Sequence, residues 1–355
     1  MWLEVRHFRN LEQLELRPVA GGLTVVNGEN GAGKTSLLEA IAYASVLRSF
    51  RGSPRDALVR AGAAGAAVRL EVVDAGHRTL LEVGISPPAR DQVARNKQRV
   101  GRSHELLETL RTTIFTPDDM VLVKGGPQER RDYLDDLAVA VQPRLLPVRQ
   151  TVERVLRQRN VLLRQAGGRE SADVSATLDV WDDQLAQAGS ELTRAREALV
   201  SALEPHVSSA FARLTGIDDG LGLDYRRSYS EELGEALQRA RREDLKRQVT
   251  TVGPHRDELA LFSGGLDART RLSQGRQRCV TLALRLGAHA IVAERSGTAP
   301  VLLLDDAFSE LDDATARALV RELPTGQAIL TTAGPTPPGA QPDAVVELRD
   351  GRIVS

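Results

Sequence analysis

Short runs of alternating or uniformly apolar residues mark the first third of the chain and are typical of β-strands. The segments predicted as strands are Trp2–Phe8 and residues 13–16, 23–26, 68–73, 80–85 and 92–100. A stretch rich in Leu and Ala at residues 34–47 follows a Gly-rich turn and predicts a helix. This part of the chain is therefore expected to form strands around one helix.

The middle of the chain has helical spacing instead. Pro127 predicts the first turn of a helix, since proline is favoured at that position. Apolar residues then recur three or four apart from Leu145, and from Leu178 to Ala202 they follow an unbroken 3-4 pattern. This heptad seam predicts either a short antiparallel helical hairpin or an ordinary helical subdomain with no projecting hairpin, because both would bury the same stripe.

The last hundred residues return to alternating helices and strands, which favours an α/β fold. A helix is predicted at residues 274–293, and strands at residues 301–304, 328–332, 344–348 and 353–354. Asp350 and Gly351 lie between the last two strands and predict a hairpin turn.

Composition excludes several classes of protein. The chain has 355 residues but no run of 18 apolar ones, so no membrane-spanning helix is expected. The first residues lack an apolar signal core, so secretion is not expected either. The single cysteine, Cys279, rules out a disulfide framework and suits a cytoplasmic location. The formal net charge is -1, so any nucleic-acid site must be a local basic patch.

A complete phosphate-loop pattern, Gly-x-x-x-x-Gly-Lys-Thr, lies between the predicted strand at residues 23–26 and the helix after it. Its glycines let backbone N–H groups turn toward phosphates, and the helix N-terminus adds its positive end. In this pattern Lys34 reaches the β- and γ-phosphates, and the Thr35 hydroxyl binds magnesium. The residues predicted to bind ATP are Gly28, Glu29, Asn30, Gly31, Ala32, Gly33, Lys34, Thr35 and Ser36.

The apolar strand at residues 301–304 ends in two carboxylates. Asp305 stands at the carboxyl end of the strand, where it can hold magnesium together with Thr35. Asp306 follows on the other face of the extended backbone, where it can orient the attacking water. Lys34, Asp305 and Asp306 are therefore the predicted catalytic residues, and ATP and Mg²⁺ are the predicted cofactors.

Two short motifs flank that strand in the sequence. Ser273 is predicted to cap a helix that has Gly275 in its first turn, and such a helix end can accept a phosphate from outside. A Ser-Glu-Leu-Asp run, from Ser309 to Asp312, follows the strand closely.

In this order, the motifs resemble the ATP-binding-cassette (ABC) head. Together with FRNLEQLEL near the start and with residues 115–135 and 253–259, they resemble the RecF family, bacterial recombination proteins related to SMC proteins. In the ABC superfamily two heads pack head to tail, and each nucleotide is closed between the phosphate loop of one chain and the signature of the other. The resemblance implies a trans signature made by Ser273, Gln274, Gly275 and Arg276, and a D-loop with Ser309 and Asp312.

The resemblance also implies an architecture, an ABC-type ATPase head with an inserted all-helical lobe. We expect the N-terminal part of the head at residues 1–115, the helical lobe at residues 116–250 and the C-terminal part at residues 251–355. The implied activity is a weak, DNA-stimulated ATPase that acts as a switch.

The implied function is an ATP-gated clamp in recombinational repair, with roles in DNA replication and the SOS response. It would dimerise with ATP around double-stranded or gapped DNA in the cytoplasm. There it would act beside RecR and other recombination mediators and help to load recombinase onto single strands.

Three positions differ from the ABC pattern. Asp306 replaces the usual glutamate, Thr331 and Thr332 stand where a histidine is expected, and residues 116–119 occupy the region of an expected glutamine. The shorter carboxylate and the missing histidine fit the habits of the RecF family and predict weak hydrolysis.

Two basic groups are candidates for DNA contact, because charges on a face shared by two heads would add. They are Arg48, Arg51 and Arg55 after the phosphate-loop helix, and Arg95, Lys97 and Arg99, which are expected on one face of a strand.

Two other functions compete with this interpretation. The nucleotide-binding subunit of an ABC transporter should carry the missing histidine and glutamine and would not need the helical insertion. A small-molecule P-loop kinase would explain the phosphate loop but not the signature or the D-loop.

Overall fold

The computed structural model describes residues 1–74, 76–101, 104–217 and 220–354. The strands are β1 (Trp2–Phe8), β2 (Leu11–Leu16), β3 (Leu23–Asn27), β4 (Ala66–Asp74), β5 (His77–Ile85), β6 (Gln92–Arg95), β7 (Gln98–Arg99), β8 (Thr112–Phe115), β9 (Leu221–Arg226), β10 (Glu258–Ser263), β11 (Leu266–Asp267), β12 (Val301–Asp305), β13 (Ala328–Thr332), β14 (Ala344–Arg349) and β15 (Arg352–Ile353).

The helices are α1 (Lys34–Val46), α2 (His104–Thr109), α3 (Val121–Lys124), α4 (Pro127–Val141), α5 (Leu145–Ala166), α6 (Ala172–Thr215), α7 (Leu233–Arg247), α8 (Ala268–Arg271), α9 (Gln274–Ser296) and α10 (Asp313–Glu322). Short 3₁₀ turns lie at Arg55–Leu58 and Pro117–Met120. None of the described helices is long and apolar enough to cross a membrane.

The chain divides into two compact units. The first contains residues 1–119, 209–218 and 278–355, and the second contains residues 120–208 and 219–277. Residues 251–277, which were expected with the ATPase head, therefore fall in the second unit. The physical reason is strand pairing, because β10 pairs antiparallel with β9 over six residues and carries this stretch with it.

The first unit has two sheets with α1 between them. One sheet is antiparallel in the order β2-β1-β4-β5-β6-β7, and the other runs β15-β14-β3-β13-β12-β8. Strands β14, β3, β13, β12 and β8 of the second sheet are parallel. Side chains of α1 pack with residues of both sheets in one apolar core, which explains why Leu37 to Ser45 are buried on every face of the helix.

The second unit is built around a bundle of α5, α6 and α7, and it also contains an antiparallel sheet in the order β11-β10-β9, so the inserted lobe is not all-helical as expected. Val155 of α5, Leu185 of α6 and Leu237 of α7 share one apolar cluster, and Leu163, Leu178 and Leu245 share another. This pairing runs α5 and α6 antiparallel, as a hairpin requires. Because α7 packs on both, the α5–α6 hairpin is packed within a helical subdomain.

One arginine joins these three helices. Arg159 of α5 is fully buried and donates to Asp182 of α6 at 2.7 Å and to Asp244 of α7 at 2.6 Å. Thr250 accepts from the same guanidinium at 3.0 Å. Removing the cation would leave the buried Asp244 without a described cationic partner, a change that costs roughly 3–5 kcal/mol in buried pairs, while Asp182 would keep Arg241 at 2.7 Å.

The strand predicted at residues 92–100 is interrupted in the structure. Asn96 and Lys97 adopt positive φ angles of 51° and 68°, and they form a turn between β6 and β7. The expectation that Arg95, Lys97 and Arg99 share one face of a single strand is therefore wrong. Arg95 and Arg99 lie on paired strands, and Lys97 lies in the turn.

Candidate nucleotide-binding site

The phosphate loop follows β3 and leads into α1, as its sequence predicts. Gly31 and Gly33 have φ angles of 86° and 109°, which side chains rarely adopt, and a Cβ on Gly33 would lie 2.6 Å from the Leu11 side chain. The Lys34 ammonium donates to the carbonyl oxygens of Gly28 and Glu29 at 2.6 and 2.9 Å. The lysine therefore lies across the loop, in the place where its charge can meet phosphate oxygens.

Asn10, in the turn between β1 and β2, fastens this loop. Its amide donates to the Gly31 carbonyl at 2.8 Å, and its carbonyl oxygen accepts from the Ser36 hydroxyl at 2.7 Å. Asn10 was absent from the sequence-based candidates, although it lies in the FRNLEQLEL segment. Only folding brings it to the loop, because β1 belongs to the other sheet.

Arg9, beside Asn10, is held by a buried carboxylate. Its guanidinium makes two hydrogen bonds of 2.8 Å to Glu39 of α1, which is fully buried, and one of 2.6 Å to Ser53. Arg9 thus joins the β1–β2 turn to α1 on one side of the loop. It was also absent from the sequence-based candidates.

The magnesium-binding pair predicted from the sequence comes together in space. The Thr35 hydroxyl donates to Oδ1 of Asp305 at 3.0 Å, although the two residues are 270 positions apart. Burial raises the pKa of Asp305, and hydrogen bonds from Thr331 and Thr35 act in the opposite direction. A hydroxyl and a carboxylate at the base of a phosphate loop are oxygen ligands of the kind that Mg²⁺ prefers, so these residues fit the ion.

Asp306 differs from its expected geometry. Its φ angle is 48°, so the backbone turns left-handed there, and the expected extended continuation of β12 is wrong. Asp306 still faces the same pocket as Asp305 and Lys34. Burial lowers the pKa of Lys34, while attraction to Asp306 and Asp305 raises it.

These residues line one pocket of about 920 Å³ in the first unit. Its basic members are Lys34 and three arginines, Arg9, Arg51 and Arg60. Residues of the 57–61 segment also line the pocket, which is open to solvent. Its volume and cationic lining suit a nucleoside triphosphate.

The signature residues lie in the second unit, at the beginning of α9. The Ser273 hydroxyl accepts from the Arg276 amide at 3.4 Å, and Ser273, Gln274 and Gly275 are exposed. No described atom lies within 4 Å of a Cβ placed on Gly275. This helix end is therefore open to an incoming group.

The D-loop residues have local roles in the first unit. Asp312 caps α10 by accepting from the amides of Ala314 and Thr315, and these bonds lower its pKa. The Ser309 hydroxyl donates to the Asp306 carbonyl at 2.9 Å. Arg278 of α9 contacts the side chain of Glu310 between them.

The six basic candidates for DNA contact are not equivalent. Arg55 donates to Asp91 and to the Ala89 carbonyl, so its guanidinium is engaged in contacts within the protein. Arg51 lines the nucleotide pocket, and Arg48 is exposed just after α1. Arg95, Lys97 and Arg99 are exposed on the hairpin of β6 and β7.

Arginines and a histidine of the 115–135 and 253–259 segments hold the second unit together. Arg130 makes two hydrogen bonds to Glu258, of 2.9 and 3.1 Å, and Arg131 donates to the Asp257 carbonyl at 2.7 Å. Both contacts fasten α4 to β10. His255 bonds the Thr250 carbonyl at 3.0 Å, and burial lowers its pKa to about 4.

Comparisons with known proteins identify the family of the chain. The family model described as RecF/RecN/SMC N terminal domain matches residues 2–333. A protein of Streptomyces avermitilis named DNA replication and repair protein RecF is 40% identical over 347 residues, covering 93% of this chain and 92% of that protein. A protein of the same name from Frankia alni is 39% identical over 370 residues, covering 99% and 96%.

Solved structures extend the comparison to three dimensions. The structure of the recombination mediator protein RecF with ATP, from the RecFOR pathway, matches with a TM-score of 0.90 and 28% identity, covering 99% of this chain and 96% of that one. An Smc head domain from Pyrococcus furiosus, at 17% identity and a TM-score of 0.57, shares the fold. The chain belongs to the RecF family and has the ABC-type ATPase fold of that family and of SMC heads.

Proposed function

We propose that this protein is an ATP-gated DNA-binding clamp that acts in recombinational repair of gapped DNA. The observation that carries the proposal is the convergence of Lys34, Thr35, Asp305 and Asp306 on one open, cationic pocket. A phosphate loop alone would serve many nucleotide-binding proteins. Two carboxylates at the end of β12 add the groups needed to use the nucleotide as a switch.

Gly28 to Ser36 would hold the phosphates through backbone N–H groups and the Lys34 ammonium. Thr35 and Asp305 would hold Mg²⁺, which when bound neutralises charge on the β- and γ-phosphates. Asp306 would accept a hydrogen bond from the attacking water and so orient it. Its short side chain suits slow hydrolysis, and we propose a weak ATPase stimulated by DNA.

The signature would act on the nucleotide of a second copy. Ser273, Gln274, Gly275 and Arg276 offer an exposed helix N-terminus, and such a helix end attracts anions. With the γ-phosphate of the partner bound there, ATP becomes part of the interface. Ser309 and Asp312 of the D-loop would lie at the same interface, so hydrolysis would release the dimer.

DNA is the proposed partner of the dimer. Relatives at about 40% identity are named DNA replication and repair protein, and the matched ATP-bound structure is a recombination mediator. The exposed cations Arg48, Arg95, Lys97 and Arg99 are the proposed phosphate contacts, together with Arg51 at the pocket edge. We further propose that the clamp works in the cytoplasm beside RecR and other mediators to help load recombinase.

Filter binding with duplex and gapped DNA, with and without ATP, tests this proposal. We expect ATP to increase retention of both DNAs by the wild-type protein and to have no effect on the Lys34→Ala variant. Equal retention with and without ATP would contradict a gated clamp. Nucleotide binding with no retention of either DNA would contradict DNA as the partner of the dimer.

A further inference from the structure

Thr331 and Thr332 stand where the ABC pattern expects a histidine. In the structure, Thr331 makes a specific set of contacts. Thr331 is fully buried at the end of β13, and it is the registered neighbour of Asp305 on β12. Its hydroxyl lies 2.8 Å from Oδ1 of Asp305. The Leu304 carbonyl is farther away, at 3.3 Å, so the single hydroxyl proton is best placed on the carboxylate bond.

Thr331 also accepts hydrogen bonds from the backbone amide of Asp306, the residue after Asp305. The Asp306 amide lies 3.1 Å from the Thr331 carbonyl oxygen and 3.3 Å from its hydroxyl oxygen. These contacts hold Asp306 at the point where its φ angle turns to 48°, a conformation unusual for any residue other than glycine. One side chain therefore touches both acidic residues of the site.

The hydroxyls of Thr35 and Thr331 both hydrogen-bond to the same carboxylate oxygen of Asp305. Both hydroxyls donate to Oδ1, at 3.0 and 2.8 Å. Two donors on one oxygen fix the rotation of the carboxyl group and leave Oδ2 without a described partner. The free oxygen is then the one available to a cation in the pocket.

We propose that Thr331 is a positioning residue, which orients Asp305 for the metal and sets the backbone turn that directs Asp306 into the pocket. This inference rests on the proposed function, because it assumes that Asp305 holds Mg²⁺. It assigns to a buried hydroxyl the task of arranging the end of β12. The hydroxyl of Thr332, its neighbour, bonds within the following loop, at Gly334, while the Thr332 carbonyl accepts from the Gly28 amide at 3.2 Å.

The test compares full-length Thr331→Val, which keeps the shape but removes the hydroxyl, with Thr331→Ser, which keeps the hydroxyl. Thr332→Val is the matched control. Two quantities are measured for each: binding of a fluorescent ATP analogue in EDTA and across a Mg²⁺ titration, and kcat with KM for ATP. Mn²⁺ binding to the ADP complex, followed by electron paramagnetic resonance, gives a readout of the metal site that is independent of turnover.

We expect Thr331→Val to weaken Mn²⁺ binding and to raise the half-saturating Mg²⁺ concentration by about 10-fold, the effect of one hydrogen bond to a charged group. The kcat should fall by about 10-fold or more, while affinity in EDTA stays within about twofold of the wild type. Thr331→Ser should restore both properties, and Thr332→Val should resemble the wild type. This pattern would separate positioning of the metal site from general damage to the loop.

The inference is overturned if Thr331→Val and Thr332→Val show the same Mg²⁺ dependence and kcat. It is also overturned if Thr331→Val loses affinity equally in EDTA, because the hydroxyl would then support the whole loop. If Thr331→Val does not fold, Thr331→Ser alone decides. The inference is then overturned if Thr331→Ser does not show the wild-type Mg²⁺ dependence. If ATP binding and kcat of the wild-type protein do not depend on Mg²⁺, the proposed metal site itself is refuted.

Discussion

Asn10 and Ser36 are joined by a hydrogen bond of 2.7 Å, which ties the β1–β2 turn to the first turn of α1. The other end of the Asn10 amide holds the Gly31 carbonyl at 2.8 Å. One side chain therefore bridges the phosphate loop from the neighbouring sheet. The loop is shaped from both sides, by its own glycines and by this tertiary contact.

Replacing Asn10 should weaken nucleotide binding without unfolding the protein. Asn10→Ala removes two hydrogen bonds to the loop, and with about 0.5–1.5 kcal/mol for each, affinity should fall roughly 10-fold. Equilibrium binding of a fluorescent ATP analogue measures the change. Gln13→Ala, an exposed amide on β2, is the control and should bind like the wild type. Equal affinity of both variants would show that the bridge does not shape the loop.

Lys34→Ala should abolish ATP binding. The ammonium has only backbone carbonyls as described hydrogen-bond partners, so it is available to phosphate oxygens, and no other lysine lines the pocket. Lys97→Ala, which removes an exposed lysine of the β6–β7 turn, should leave ATP affinity unchanged. Wild-type affinity in the Lys34 variant would refute the phosphate-loop assignment.

Asp306→Asn should separate ATP binding from hydrolysis. The change removes the carboxylate proposed to orient water but leaves Asp305 and Thr35 in place, so turnover should fall by roughly 10²–10⁴ while ATP affinity persists. The trapped ATP should also prolong the dimer. Steady-state phosphate release and sedimentation measure the two effects, with Asp74→Asn as a surface control. If turnover is unchanged, Asp306 is not the catalytic group.

Ser273→Arg should block dimerisation while each chain still binds one nucleotide. The arginine would fill the place that a γ-phosphate from a second copy needs at the start of α9. DNA retention that depends on the dimer should fall with it. Ser171→Arg changes the serine before α6 in the same unit, and it should leave ATP-dependent dimerisation intact.

Mixing Ser273→Arg with Lys34→Ala chains tests the trans arrangement. A mixed dimer keeps one complete site, made by the phosphate loop of the first variant and the signature of the second. Sedimentation with ATP should therefore recover part of the association that neither variant has alone. Monomers alone in the mixture would count against paired heads, and wild-type dimers that form equally well without ATP would contradict them.

His289 should make stability depend on pH. Its ring is buried on α9 without a described hydrogen-bond partner, and burial lowers its pKa from 6.5 to about 4. As the pH falls below 6.5, His289 binds a proton in the unfolded chain but stays neutral in the folded chain. The folded state should therefore lose about 2 kcal/mol from this group by pH 5.

His289→Leu should remove that loss. Urea unfolding at pH 7.5 and pH 5 should show a smaller decrease in the free energy of unfolding for this variant than for the wild type. His77→Leu, at an exposed position on β5, should retain the wild-type decrease. A decrease of equal size in the His289 variant would show that the His289 ring does not contribute to the pH dependence.

Contiguous patterns allowed much of the fold and the first half of the site to be predicted from the sequence. Strand β1 and strand β13 have the predicted bounds, and the helix predicted from Gln274 begins there. The phosphate loop lies between β3 and α1 as expected, because glycine spacing and the helix start are local properties of the backbone. The interruption between β6 and β7 was missed, since Asn96 and Lys97 take positive φ angles without glycine.

Tertiary structure alone decided the contacts between distant segments. Thr35 meets Asp305 and Thr331 meets Asp305 because parallel strand register brings their ends together at one edge of a sheet. Asn10 reaches the loop because α1 packs between two sheets. The sequence by itself determined which chemical groups are present and the local shape of the phosphate loop. Long-range packing determined which carboxylate oxygen is held and how the chain turns at Asp306, because hydrogen bonds between distant segments leave no periodic pattern in the sequence.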